Sequence, residues 1–257
     1  MNPSALAVAL SLGMFFGMLA CVDLGYRIGR RHSGIDSTAH EGIGTIEAAI
    51  FALFGLLLGF AFAGAMSRLD ARRQLIVQEA NAIGTAYLRL DVLSKTDQRE
   101  MRRLFRDYLE ARLHSYDTLS ELEAAERRIA QAAQLQQQIW ARAVDASRLD
   151  PTQNITRVVL PALNEMIDVT TTRAVALRTH MPSLVFFLLI AVGLLSALLA
   201  GYAMAKRRGR SLLHMLLFAA SVSITIYTVL DLDNPRFGLI RLEAAEKVLQ
   251  QLHDSIR

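Results

Sequence analysis

Residues Ala48–Met66 read AAIFALFGLLLGFAFAGAM, and Ser67–Leu93 follow without a proline as SRLDARRQLIVQEANAIGTAYLRLDVL. The first stretch carries no charge and nearly reaches the roughly 20 residues a helix needs to cross about 30 Å of hydrocarbon. The second is rich in helix formers and contains nothing that stops a helix. A single long helix leaving a bilayer for water is therefore expected, rising roughly 1.5 Å per residue. Three other stretches are equally poor in charge: Ser4–Val22, Pro182–Ala205 and Ser211–Leu230. The expected fold class is all-α, with four transmembrane helices and a helical-bundle extramembrane domain between spans two and three.

Composition agrees with that reading. Of 257 residues, 53% are apolar and 20% charged, against about 45–50% and about 25% in soluble domains. The excess is concentrated in the four spans, which excludes disordered, collagenous and disulfide-stapled chains. The one cysteine, Cys21, lies inside span one and has no partner within the chain. A net charge of +4 comes mostly from arginines beside the spans, so the bilayer is the expected partner and nucleic acid is not. Span one has no Lys or Arg before it, and Arg27, Arg30 and Arg31 follow it. This favours an uncleaved helix over a signal peptide.

The organisation expected along the chain is transmembrane helices one and two at 1–66, a helical bundle continuous with spans two and three at 67–180, spans three and four at 181–230, and a turn with an amphipathic tail helix at 231–257. Within the bundle, Asp97 and Glu100 mark a helix start, followed by apolar Met101, Leu104, Phe105, Tyr108 and Leu109. Leu122, Ala125, Ile129, Ala132, Ile139 and Ala143 form a second stripe beside Trp140, ended by Asp150-Pro151. A third helix runs from about Ile155 to Thr179 into span three, with a kink expected at Pro161. The tail carries Leu242, Ala245, Leu249, Leu252 and Ile256 at helical spacing and should pack on the remainder.

Arginine and lysine in short loops favour the cytoplasm. Seven such residues (Arg27, Arg30, Arg31 and Lys206, Arg207, Arg208, Arg210) outnumber the five flanking the bundle (Arg68, Arg72, Arg73, Arg173, Arg178). The charge rule thus places the bundle and both termini outside.

No Walker loop, GxGxxG, HExxH, CxxC or GxSxG occurs, and the six histidines show no ligand spacing. An enzyme is not expected. Small residues recur every fourth position at Gly13, Gly17, Cys21, Gly25 and Gly29, at Gly55, Gly59 and Ala63, and at Gly193, Ala197, Gly201 and Ala205. Such ladders let helices approach closely, within a subunit or between subunits. Ile50, Phe54, Leu58 and Phe62 form a row that either faces lipid or lines a pore as a hydrophobic constriction. Ser221, Thr225, Thr228 and Asp231 share a face of span four that either lines water or bonds its own backbone. Asp231, Asp233 and Asn234 gather oxygens at the membrane edge, as a turn and cap or as a Ca²⁺ site.

Three segments carry a family resemblance. Arg72–Arg89, with its Glu79-Ala80-Asn81-Ala82-Ile83-Gly84-Thr85 run, resembles the first signature of the bacterial bestrophin-like domain family. Ala162–Asp168, with Asn164, Glu165 and Asp168, followed by Thr172-Arg173 and Pro182, resembles the second, and Asp231–Pro235 with Gly238 the third. The tail departs, with Leu242-Glu243-Ala244-Ala245 where Ser-x-Glu-Pro is the family pattern. The resemblance implies a multi-pass protein of the bacterial inner membrane. Bestrophins themselves are pentameric anion channels with a Ca²⁺ site near the membrane and their helical region in the cytoplasm, opposite to the charge rule. A dense acidic clasp is missing here, and Asp231 and Asp233 would be a reduced stand-in for it.

The function expected is a homo-oligomeric anion channel with span two lining the pore and Arg68, Arg72 and Arg73 at its mouth. The rival is a non-conducting scaffold or sensor, in which Glu79, Asn81, Asn164, Glu165 and Asp168 are buried and lock helices together. In either case Asp231 and Asp233 are expected beside Arg73 or Arg173, or else around a cation.

Overall fold

A computed structural model describes residues 3–32, 40–117, 122–205, 212–234, 239–240 and 242–256, and among these only helices occur as extended regular elements. They are α1 (Pro3–His32), α2 (His40–Arg89), α3 (Lys95–Asp117), α4 (Leu122–Arg148), α5 (Leu160–Arg178), α6 (Ser183–Met204), α7 (Leu212–Asp233) and α8 (Glu243–Ser255). Lys206–Arg210, Pro235 and Gly238 lie outside the described residues. The segments Ala5–Arg31, Gly44–Val92, Ile155–Met204 and Leu212–Asp233 hold helices long and apolar enough to cross a membrane. The expected all-α, four-span class is what the structure has.

Two compact units divide the chain. One comprises residues 1–69 and 180–240, the other residues 70–179 and 241–257. The tail helix thus groups with the bundle segment, while Asp231 and Asp233 group with the spans.

In the first unit α1 packs on α6 and α7. Its inward face is Met14, Met18, Val22, Gly25 and Gly29. A methyl group at Gly25 would overlap the carbonyl oxygen of Leu198, and one at Gly201 that of Val22. From Gly17 to Gly29 the span-one ladder, with Gly201 on span three, therefore serves contact between α1 and α6, while Gly13 stands in open space; in apolar solvent helices have no reason to associate beyond close packing. Gly55 and Gly59 of the span-two ladder are different: no atom lies within 4 Å of where their Cβ would stand.

In the second unit α3 packs on α4 and α8. The expected stripe of α3 is its core face, with Met101, Leu104, Phe105, Tyr108 and Leu109 all buried. That helix begins slightly earlier than Asp97 suggested. Ser94 is the cap: its Oγ accepts the Asp97 N–H at 3.2 Å and donates to the Asp97 carboxylate at 2.6 Å. On α4, Ala132, Ile139 and Ala143 are buried, whereas Ile129 is exposed. Leu249, Leu242 and Ile256 bury the apolar face of the tail, and Tyr87 donates to the carbonyl of Ile256 at 3.5 Å.

Two breaks differ from expectation. Before Pro161 the chain forms a π turn, Ile155–Val159, in place of a simple kink. Proline has no N–H to continue the α register, and an i→i+5 turn accommodates the mismatch. Asp150 prepares that turn by accepting the N–H groups of Thr152 at 2.9 Å and Ile155 at 2.8 Å. These bonds favour the carboxylate and hold its pKa below the usual value. The second break is at 179–182. Pro182 caps α6 with extended backbone, so α5 and α6 are separate helices, whereas the sequence suggested one continuous run. The cause is the clash that a proline imposes on the residues before it.

Candidate functional site

The acids after span four are held by donors of their own unit. Asp231, at the end of α7, accepts the backbone N–H of Leu239 at 2.9 Å and of Ile240 at 3.0 Å. Asp233 accepts Nε of Arg68 from α2 at 2.7 Å and the N–H of Met181 at 3.1 Å. His180 Nδ1 lies 3.4 Å from its other oxygen. One carboxylate thereby joins the end of α7, the flank of α2 and the break before α6. Both acids are nearly buried, and partnering is what makes burial tolerable.

This corrects the expected partner. Arg173 is engaged by Glu79, and Arg73 lies 3.4 Å from Asp70 on its own helix. The clamp is Arg68–Asp233. The groups placed on these carboxylates include backbone N–H groups, a guanidinium and, at Asp231, the Tyr227 hydroxyl, donors rather than the six to eight oxygen ligands of a Ca²⁺ shell. Among the described residues, no three His, Cys, Asp or Glu side chains converge as ligands. The residues present do not fit the ion that the resemblance implied.

The second unit has a charged core. Glu79 of α2 is fully buried. It accepts Nε of Arg112 from α3 at 2.7 Å and is paired on its other oxygen with Arg173 of α5. Two guanidiniums and one carboxylate thus tie three helices together. Arg72 is also buried, donating to the carbonyls of Ala176 at 3.1 Å and Thr179 at 2.8 Å. These are end carbonyls of α5, where a cation suits both the orphan acceptors and the helix dipole. Arg112 was missed in sequence, although it continues the α3 stripe four residues after Tyr108, and a charge on an apolar stripe was the available signal.

The other polar signature residues are not a buried lock. Asn81, Asn164, Glu165 and Asp168 are exposed, and Gly84 is half-buried, with the Leu252 side chain 3.3 Å from where its Cβ would stand. Asn164 donates to Asp168 at 3.1 Å. It also borders a hollow of about 400 Å³ between α4 and α5, with Gln136, Gln137 and Trp140 on the opposite side.

Along α2 the expected row does not stay on one face. Phe54 is buried against Gly193 of α6, Ile50 and Leu58 are half-buried, and Phe62 is exposed on a flank. Steps of four overshoot 3.6 residues per turn, so the row winds round the helix by roughly 40° per step. The face turned away from the packed side carries Leu53, Leu56 and Phe60, all exposed, beside open Gly55 and Gly59. It continues as exposed Ser67, Gln74 and Asn81. On α7, Thr225 and Thr228 donate to the carbonyls of Ser221 and Ile224, so these two hydroxyls of the stripe bond their own helix.

A family model described as Bestrophin-like domain matches residues 8–245. No curated protein matches the chain. Among solved structures, a membrane protein carrying a glycine-to-alanine change is 14% identical with a TM-score of 0.61, over 94% of this chain and 97% of the other. A bacterial bestrophin homologue from Klebsiella pneumoniae, with an aspartate-to-alanine mutation, is 16% identical with a TM-score of 0.58 over the same shares. At such identities the likeness is one of fold. The family match extends over most of the sequence and includes all three signatures, and the chain belongs to the bestrophin-like family of multi-pass membrane proteins.

Proposed function

We propose that the protein is a homo-oligomeric ion channel, pentameric by analogy with bestrophins, in which α2 lines the pore. The observation that carries this reading is the open face of α2. Leu53, Leu56 and Phe60 are exposed there, and the row turns polar from Ser67 onward. An apolar ring followed by a wetted stretch is the arrangement of a hydrophobic gate. Gly55 and Gly59, with open space around them, leave room for a neighbouring copy to approach.

Of the three arginines expected at the mouth, one is available to passing anions. Arg68 and Arg72 are engaged within their own units, which leaves Arg73 as the exposed member, with Asp70 beside it. The test places a cysteine at Phe60 in a Cys21→Ser background and follows ion flux from liposomes. Block by a charged thiol reagent supports a pore-lining α2; flux indifferent to the reagent overturns it.

The hollow beside Trp140 and Asn164 favours a second reading, a sensor whose bundle binds a small ligand. Ion flux through the wild-type protein separates the two: flux supports the channel reading, and no flux from folded, assembled protein supports the sensor. The basic loops support an orientation with the bundle outside. A cysteine at Leu149, 85% exposed, in the same background should then react with an impermeant reagent in intact cells, and reaction only after permeabilisation would reverse the orientation.

A further inference from the structure

The arginines that end α1 take no part in the pore, the clamp or the buried triad. With Tyr26, the side chains of Arg27, Arg30 and Arg31 line a hollow of about 440 Å³. Asp23 pairs with Arg27 at 2.6 Å, so on this helix three guanidiniums answer one carboxylate. Their direction matters more than their number. The inward face of α1 is Met14, Met18, Val22, Gly25 and Gly29. At 3.6 residues per turn, Arg27 lies roughly opposite that face, with Arg30 and Arg31 about 60° or less to either side. Exposed Leu12 and Phe16 stand on the same outer face. Phe16 lies about 16 Å along the helix from Arg27, comparable with the depth of one leaflet, half of about 30 Å.

We propose that the end of α1 holds an anionic phospholipid. The phosphodiester lies in the hollow against Arg30 and Arg31, and an acyl chain runs along Phe16 and Leu12. Guanidiniums suit phosphate oxygens as paired donors, and a tyrosine ring at headgroup depth is at home in the interface. A lipid is favoured over a soluble anion because the cluster continues directly into an exposed apolar face. Arginines present only to set topology would need no such continuity and would show no preference between headgroups once the protein is extracted.

The experiment is native mass spectrometry of the full chain in detergent, titrated with phosphatidylglycerol or with phosphatidylcholine of the same acyl chains. Phosphatidylglycerol should be retained more tightly. Arg30→Gln with Arg31→Gln should weaken that retention by about thirtyfold, since each basic residue near a headgroup contributes roughly fivefold. Arg30→Lys with Arg31→Lys should keep most of it, and it serves with Phe16→Ala, which should weaken both lipids, if the glutamine variant does not fold. Equal retention of the two lipids overturns the proposal, as does a glutamine variant that still prefers phosphatidylglycerol. Displacement by inorganic phosphate as complete as by lipid would make this a soluble-anion site and overturn the lipid assignment.

Discussion

Removing the charge of Glu79 is the most demanding test of the bundle core. Its carboxylate sits at 0% exposure between Arg112 and Arg173, themselves almost fully buried. Glu79→Gln keeps the shape and one acceptor but leaves two guanidiniums facing a neutral amide. Breaking a buried ion pair by removing one partner costs about 3–5 kcal/mol, because the remaining charge cannot be resolvated. For a chain of this length 1 kcal/mol moves Tm by roughly 2–4 °C, so a fall of about 6–20 °C is expected. Size-exclusion chromatography after heating, read by fluorescence, measures it in detergent. Replacing all three together, Glu79→Met with Arg112→Met and Arg173→Leu, should recover most of the loss, since no charge is left stranded. A Glu79→Gln protein that melts within about 2 °C of wild type would refute the reasoning, as would a triple variant no better than the single.

Asp233→Ala should cost about 2–3 kcal/mol by stranding Arg68 and the N–H of Met181, while Ca²⁺ should leave the Tm of the wild type unchanged; a Ca²⁺-dependent rise abolished by Asp233→Asn would restore the metal reading. Gly201→Ala should destabilise by about 3 kcal/mol or more, because the obstacle is the Val22 backbone and cannot swing aside. Gly59→Ala should leave the folding of a single chain unaffected, so any loss of assembly or flux there reports on a neighbouring subunit. The pKa of Asp150 is lowered by the Ile155 and Thr152 bonds. Its stabilising effect is thus full above the unfolded-state value and is lost as pH falls through the folded one. Asp150→Ala should remove that acid-side loss from the pH profile of Tm.

The spans and the α3 core were legible because one-dimensional patterns decide them: uncharged length in one case, apolar spacing in the other. Partner choice was not, because it depends on the angular phase of each helix. Arg68, Arg72 and Arg73 all follow span two within seven residues, yet they end on an acid, on carbonyls and at the surface, respectively. Asn81 lies two residues beyond Glu79, roughly 200° round the helix, which is why one is buried and the other exposed. On α5, Asn164, Glu165 and Asp168 are exposed, while Ala162, Leu163, Met166 and Arg173 are buried, so a shared signature did not mean a shared face. The third signature contains both acids, Asp231 and Asp233. Their donors, the N–H groups of Met181, Leu239 and Ile240, were invisible because every residue but proline carries one.

Conduction itself is the point on which the functional account turns, and recording from purified protein in a planar bilayer addresses it without a variant. Discrete current steps absent from protein-free bilayers are expected under the channel reading, with a reversal potential under a salt gradient that reports the charge at the pore mouth. A bilayer that stays silent at every applied voltage, with and without Ca²⁺, while the inserted protein remains folded and assembled, would contradict it.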